Sequence, residues 1–225
     1  MPKPSAPEDI CNLTLDFLKQ SPIASIESPV SNTEFIMARW YDIERLSALR
    51  SHPWKFASKR VLLSPNLNTP PPFGFSNAYD LPIDYVRMIS IGDDHLRDMK
   101  MDHVIESGQL LTPSGSNAAF PNVSPTDTST IYLRYVYDCQ TVSQFDPLFA
   151  KFFALGMALD LAPKFAISAG LGNALQVIFD KLNTEAKTVN GQDAPIQRIQ
   201  QSRILTKRRG LPGGIYASRY TVFDS

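Results

Sequence analysis

Residues 146–186 hold the longest run of helical apolar spacing in the chain, and the other elements must arrange themselves around it. The run opens with Asp146-Pro147. A carboxylate there can take free amide hydrogens of a first helical turn, and a proline at the first helical position forfeits no hydrogen bond. Leu148, Phe152, Leu155 and Leu159 recur on one face. Ala150, Ala154 and Ala158 form a smooth neighbouring stripe that lets another helix approach closely. That partner is a helix of the same subunit or of a neighbouring copy. Pro163 ends or kinks this segment. Leu171, Leu175, Ile178, Leu182 and Ala186 then restart the period, with Gly170 and Gly172 at the start of a second helix.

Two helices are expected upstream. Pro7 starts the first, with Glu8 and Asp9 in its opening turn, a core face of Ile10, Leu13, Phe17 and Leu18, and Ser21-Pro22 closing it. The second has the clearest local start. Ser31 and Glu34 match a capping box, and Val30 and Phe35 stand where a hydrophobic staple would be. Ile36, Trp40, Ile43 and Leu46 form its expected apolar face, leaving Arg39, Glu44, Arg45 and Arg50 on a solvated or interface side. Pro53 stops it near Ser51, and Trp54 and Phe56 are expected to return to the core.

Between residues 57 and 138 the pattern becomes strand-like. Expected strands are 58–63, 85–91, 100–105, 109–111 and 130–137. In the last, Ile131, Leu133 and Tyr135 alternate with Tyr132, Arg134 and Val136. Glu106-Ser107-Gly108 reads as a hairpin turn. The loops 68–75 and 112–127 are long and proline-containing, and the chain's 18 prolines favour such ordered loops. The expected fold is α+β: a helical bundle from residues 1–56 and 139–190, a small antiparallel β subdomain inserted at 57–138, and an extended arm at 191–225. Asn190-Gly191 is read as the turn that ends the last helix.

The arm changes character. Arg198, Arg203, Lys207, Arg208, Arg209 and Arg219 fall in a stretch, 196–219, without an acidic residue. Ile215, Tyr216, Tyr220, Val222 and Phe223 bring apolar surface to its end. The basic cluster can face nucleic-acid phosphates, an acidic protein surface or water, and the aromatic terminus favours docking on a protein. Formal net charge is zero, which argues against general nucleic-acid affinity over the whole surface.

The sequence displays no catalytic constellation. His52, His95 and His103 form no close pair with a cysteine or with one another, so no metal-ligand spacing appears. Asp93, Asp94, His95 and Asp98 lack the regular oxygen spacing of a calcium loop and read as a solvated loop. There is no G-x-S-x-G elbow or phosphate-binding loop, and Gly170-Leu171-Gly172 reads as a helix start. Pro70-Pro71-Pro72 reads as a rigid loop in preference to a polyproline ligand. Cys11 and Cys139 require no disulfide, so a reducing compartment is the simpler expectation. The N-terminus has no apolar leader, and no stretch reaches membrane-spanning length. No catalytic residue, metal or cofactor is expected.

Four stretches, in this order, carry a resemblance: residues 10–18; Ala38-Arg39-Trp40-Tyr41-Asp42 continuing to His52-Pro53-Trp54-Lys55-Phe56-Ala57; Tyr79-Asp80-Leu81-Pro82 with Asp84 and Arg87; and residues 132–138 followed by Phe145-Asp146-Pro147-Leu148-Phe149. Together they resemble the head-to-tail adaptor of short-tailed bacteriophages, the tail tubular protein A family. The resemblance spans roughly residues 8–190 and implies a virion structural protein without enzymatic turnover. It implies a twelve-copy ring under the portal that continues the DNA channel and receives the tail nozzle. It implies assembly in the host cytoplasm, with DNA passing without specific recognition. By the same resemblance, Arg39, Trp40, Tyr41, Asp42, His52, Pro53 and Trp54 are structural or inter-subunit, and residues 196–225 are the candidate portal-docking arm. The competing expectations are a DNA-binding or packaging module using the basic arm, a head-completion protein of another phage type, and a hydrolase using Asp93, Asp94 and His95.

Overall fold

The computed structural model describes residues 3–91, 102–113 and 130–192. The chain divides into two units, Met1–Gly191 and Gln192–Ser225. The first holds every element below except the last residue of the final helix. The fold is α+β, a helical bundle with an inserted antiparallel β subdomain.

Local chemistry starts the helices. In α1 (Pro7–Phe17) the Asp9 carboxylate accepts from the Ser5 and Ala6 amides (2.8 and 3.1 Å). Those bonds hold its pKa below the ordinary value, despite a small opposing effect of burial. The helix stops four residues before Ser21, at a turn where Lys19 takes φ 55°. In α2 (Asn32–Ser51) the expected capping box is present: Ser31 Oγ accepts from the Glu34 amide (3.2 Å), and Glu34 accepts from the Ser31 amide (2.9 Å). The staple is absent as a packed pair, because Val30 is 88% exposed and Phe35 54%. In α3 (Pro147–Leu161) Asp146 Oδ1 accepts from the Leu148 and Phe149 amides (2.8 and 3.4 Å). The helix ends before Pro163. α4 (Ala169–Gln192) runs through Asn190-Gly191, so the turn expected there is helical instead.

α3 is the centre of the bundle. Buried residues surround most of its axis, including Phe149, Phe152, Phe153, Leu155, Met157 and Leu161, while Lys151 and Asp160 stay exposed. The alanine stripe is buried inside the chain: Ala150, Ala154 and Ala158 are at most 2% exposed. Its small side chains bring α1 close enough for Thr14 Oγ1 to share its hydrogen between the Ile10 and Ala154 carbonyls (3.0 and 3.1 Å). The stripe therefore packs within the subunit. On the α4 side, a Cβ at Gly156 would stand 3.4 Å from the Phe179 ring, and Phe179 stacks on Phe152 with centroids 5.1 Å apart.

The apolar face of α2 is rotated from the expected one. The helix buries Met37, Tyr41, Arg45, Ala48 and Leu49, whereas Ile43 and Leu46 are 58% and 39% exposed. Ile36 and Trp40 lie at the margin, packed partly on the core. The reason is Arg45. Its charge suggests solvent, but its partners lie inside the fold. In α4, Leu175, Leu182 and Ala186 are buried as expected, but Ile178 is 45% exposed.

Among the described residues the β subdomain holds two three-stranded antiparallel sheets where the sequence suggested one. β1 (Ser58–Leu63), β3 (Tyr85–Ile91) and β6 (Ile131–Tyr137) form the first, in the order β1-β6-β3. β2 (Asn77–Asp80), β4 (Val104–Glu106) and β5 (Gln109–Thr112) form the second, in the order β2-β5-β4. β2 is not among the expected strands, and of the strand expected over 100–105 the described residues are 102–105, of which only 104 and 105 are strand, as the start of β4. Ser107 and Gly108, both at positive φ (49° and 76°), make the two-residue turn between β4 and β5. Leu63, Tyr79, Leu110, Ile131, Leu133 and Tyr135 form the core these strands share. The cluster Asp93, Asp94, His95 and Asp98, most of the 112–127 loop, and all the arm residues from Arg198 to Phe223 lie outside the described residues.

Candidate functional site

The sequence-predicted residues fall into two structural groups. In the Arg39-Trp40-Tyr41-Asp42 stretch, helical geometry splits neighbouring side chains between core and solvent. Arg39 and Asp42 are exposed, and Trp40 is half-buried with Lys164 Nζ 4.6 Å from its ring centroid. Tyr41 is buried against Phe153, with centroids 5.4 Å apart, and its hydroxyl has no hydrogen-bond partner among the described residues. Burial, followed by the charge effect of Cys11, raises the Tyr41 phenol well above its ordinary pKa.

Arg45, four residues further along, is the ion-pairing centre the sequence reading missed. It donates to Asp138, the residue after β6, to the Cys139 carbonyl (3.3 Å) and to Asp42 (3.1 Å). Its side chain is only 4% exposed. The one local clue is Asp42, three residues before it on the same helix.

The second group surrounds the end of α2. His52 caps the helix in an extended conformation, and Pro53 then prevents its continuation. Trp54 turns back into the core, where its indole N–H donates to the Ala48 carbonyl (2.9 Å). Its ring meets Phe149 and Phe152, with centroids 5.0 and 5.7 Å away. The neighbouring Lys55 amide donates to Asn190 of α4 (2.9 Å). Arg87 of β3 donates to the Arg50 and Ser51 carbonyls (3.0 and 3.2 Å), tying the sheet to the same helix end.

Neither group assembles reactive chemistry. Cys11 and Cys139 are free and buried. Burial first, then the nearby Glu8 charge, pushes the Cys11 thiol up to about 12, so it is held as a neutral thiol. Among the described residues, no group of three or more His, Cys, Asp or Glu side chains is placed to hold a metal ion. Among these residues no helix is long and apolar enough to cross a membrane.

No family model and no curated protein matches this chain.

Several large apolar side chains are exposed on the described surface. Phe35, Ile43 and Leu46 line the outer side of α2, with Arg39 between them. On α4, Val177 and Ile178 are 69% and 45% exposed. Leu67, Phe73 and Ile83 stand out on loops of the β subdomain.

Beside the α2 face, Glu44 lies against Asp160 of α3. Partial burial first, then the Asp160 charge and a hydrogen bond to it, push Glu44 up to about 7. A raised folded-state pKa gives a contribution that is complete below the ordinary carboxyl pKa and lost as pH rises through about 7. Glu44→Gln should therefore stabilise the protein by about 1 kcal/mol at pH 8, after allowance for solvent screening, and by less at pH 5. Denaturant titrations of both proteins at the two pH values measure this. An equal effect at both would place the pair's ionisation outside the folding equilibrium.

Proposed function

We propose that this chain is a virion structural protein: a head-to-tail adaptor that forms a ring, predicted to hold twelve copies, beneath the portal of a short-tailed phage. In this reading it continues the DNA channel, receives the tail nozzle and has no catalytic turnover. The observation that carries the proposal is the outer face of α2, where Phe35 is 54% exposed and Ile43 58%. A ring subunit needs surfaces that are stable in water alone yet become buried between copies. An apolar stripe on a helix whose opposite side is anchored in the core meets that requirement. The stretches that resemble the adaptor family support the reading in a second way, since His52-Pro53-Trp54 and Asp146-Pro147 both stand at helix ends that shape the bundle. The near balance of charge suits a channel protein, because a strongly basic wall would retain DNA through counterion release.

Electron microscopy of the protein alone and with portal protein tests the proposal. A ring coaxial with the portal is expected, and deletion of residues 196–225 should abolish docking while leaving the bundle folded. Absence of a ring in both conditions would sink the adaptor reading. Docking that survives the deletion would remove the arm from it.

A further inference from the structure

In the last turn of α4, Asn190 has a hydrogen-bonding pattern with only one solution. It makes three contacts with the segment that follows α2. Its Oδ1 accepts from the Lys55 amide (2.9 Å), while its Nδ2 lies 3.2 Å from the Pro53 carbonyl and 2.9 Å from His52 Nε2. The Lys55 amide is a donor only, so it must face the Asn190 oxygen. The Pro53 carbonyl is an acceptor only, so it must face the nitrogen. With the amide orientation settled, Nδ2 approaches His52 as a donor, and His52 Nε2 must accept. That requires a neutral imidazole with its proton on Nδ1.

We infer that the Asn190–His52 contact is a proton-sensitive latch: neutral His52 holds the last turn of α4 against the end of α2, and protonated His52 releases it. Protonation places an N–H on Nε2 opposite an amide that is itself donating. Turning the amide over would satisfy His52, but it would set Nδ2 against the Lys55 N–H and the oxygen against the Pro53 carbonyl. No orientation satisfies all three contacts once the imidazole is charged.

The surroundings favour the neutral form. Charges bearing on the ring come from Lys187 of α4 and Arg87 of β3, both cationic. Arg50 of α2 directs its guanidinium to the Val86 carbonyl (2.7 Å). The ring packs edge-on to Trp54, with centroids 5.0 Å apart. Desolvation, then Lys187 and Arg87, lower the His52 pKa. With the folded value depressed, the latch is complete above the ordinary histidine pKa and is lost as pH falls below it. The latch stands in the last turn of α4, two residues before its end at Gln192. This inference is independent of the adaptor reading.

Hydrogen–deuterium exchange of the full chain between pH 7.5 and 4.5, expressed as protection relative to the unfolded rate, tests the latch. Protection over residues 186–192 should fall about tenfold or more in the wild-type protein, while peptides from α3 keep theirs. Asn190→Ala should show the low value at every pH. His52→Gln, whose amide oxygen accepts at any pH, should keep the high value throughout. Equal protection of wild type and Asn190→Ala at pH 7.5 would overturn the inference. Should glutamine fail to reach Asn190, an NMR titration of His52 in the wild-type protein decides. A midpoint coinciding with the loss of protection supports the latch, and a displaced midpoint rejects it.

Discussion

Replacing Arg45 with methionine should destabilise the protein by about 3–5 kcal/mol, although methionine suits a buried helix position better than arginine does. Asp138 would be left 21% exposed and without its cation, and the Cys139 carbonyl would lose a donor. Asp138 keeps a hydrogen bond from Gln140 (3.1 Å), which places the expected loss toward the lower end of that range. Asp42 is 73% exposed and remains hydrated, so its half of the network contributes little. Arg45→Lys should recover only part of the loss, because a single ammonium cannot reach three acceptors in a fixed fork. Chemical denaturation of the single variants and of Arg45→Met combined with Asp138→Asn measures the coupling. The combined variant should lose less than the sum of the two. Strict additivity would show that the pair does not act as a unit.

Trp54→Ala should have a comparable effect, about 3–5 kcal/mol. The side chain is 2% exposed and lies among Phe56, Phe149 and Phe152, so its removal opens a cavity between the end of α2, α3 and the approach to β1. The indole bond to the Ala48 carbonyl is lost as well. Trp54→Phe separates the terms: it retains most of the ring and forfeits that bond, and should cost about 1–2 kcal/mol. Thermal and urea unfolding give both values. A loss under 1 kcal/mol for the alanine variant would mean that neighbouring rings close the cavity.

The four stretches that carried the resemblance occupy different physical situations. Tyr41 and Trp54 are core residues, whereas Arg39 and Asp42 reach solvent from the same helix. An inter-subunit role is thus available to the exposed pair and to the half-buried Trp40. It is not available to Tyr41 or Trp54, whose surfaces are already used. The spacing of Ile36, Trp40, Ile43 and Leu46 is visible in the sequence and predicts an inner face, but only Ile36 and Trp40 pack partly on the core while Ile43 and Leu46 are exposed. Two apolar stripes on one helix cannot be ranked by spacing alone. Only the position of Arg45 against Asp138, 93 residues away, decides which stripe turns inward.

The sequence by itself determined what depends on a few neighbouring residues. Ser31 with Glu34, Pro7 with Asp9, and Asp146 with Pro147 mark helix starts, because a cap and the amides it satisfies lie within one turn. Alternation in β6 and the Ser107-Gly108 turn are legible for the same reason. Tertiary structure decided whatever depends on partners distant along the chain. It divided the strands into two sheets by pairing β2 with β5, set the alanine stripe against Thr14, and rotated α2 around Arg45. It also kept Asn190 helical by giving its side chain three contacts at the end of α2. In each case a local preference competed with a hydrogen bond or ion pair made across the fold, and burial, which strengthens such polar contacts, settled the outcome.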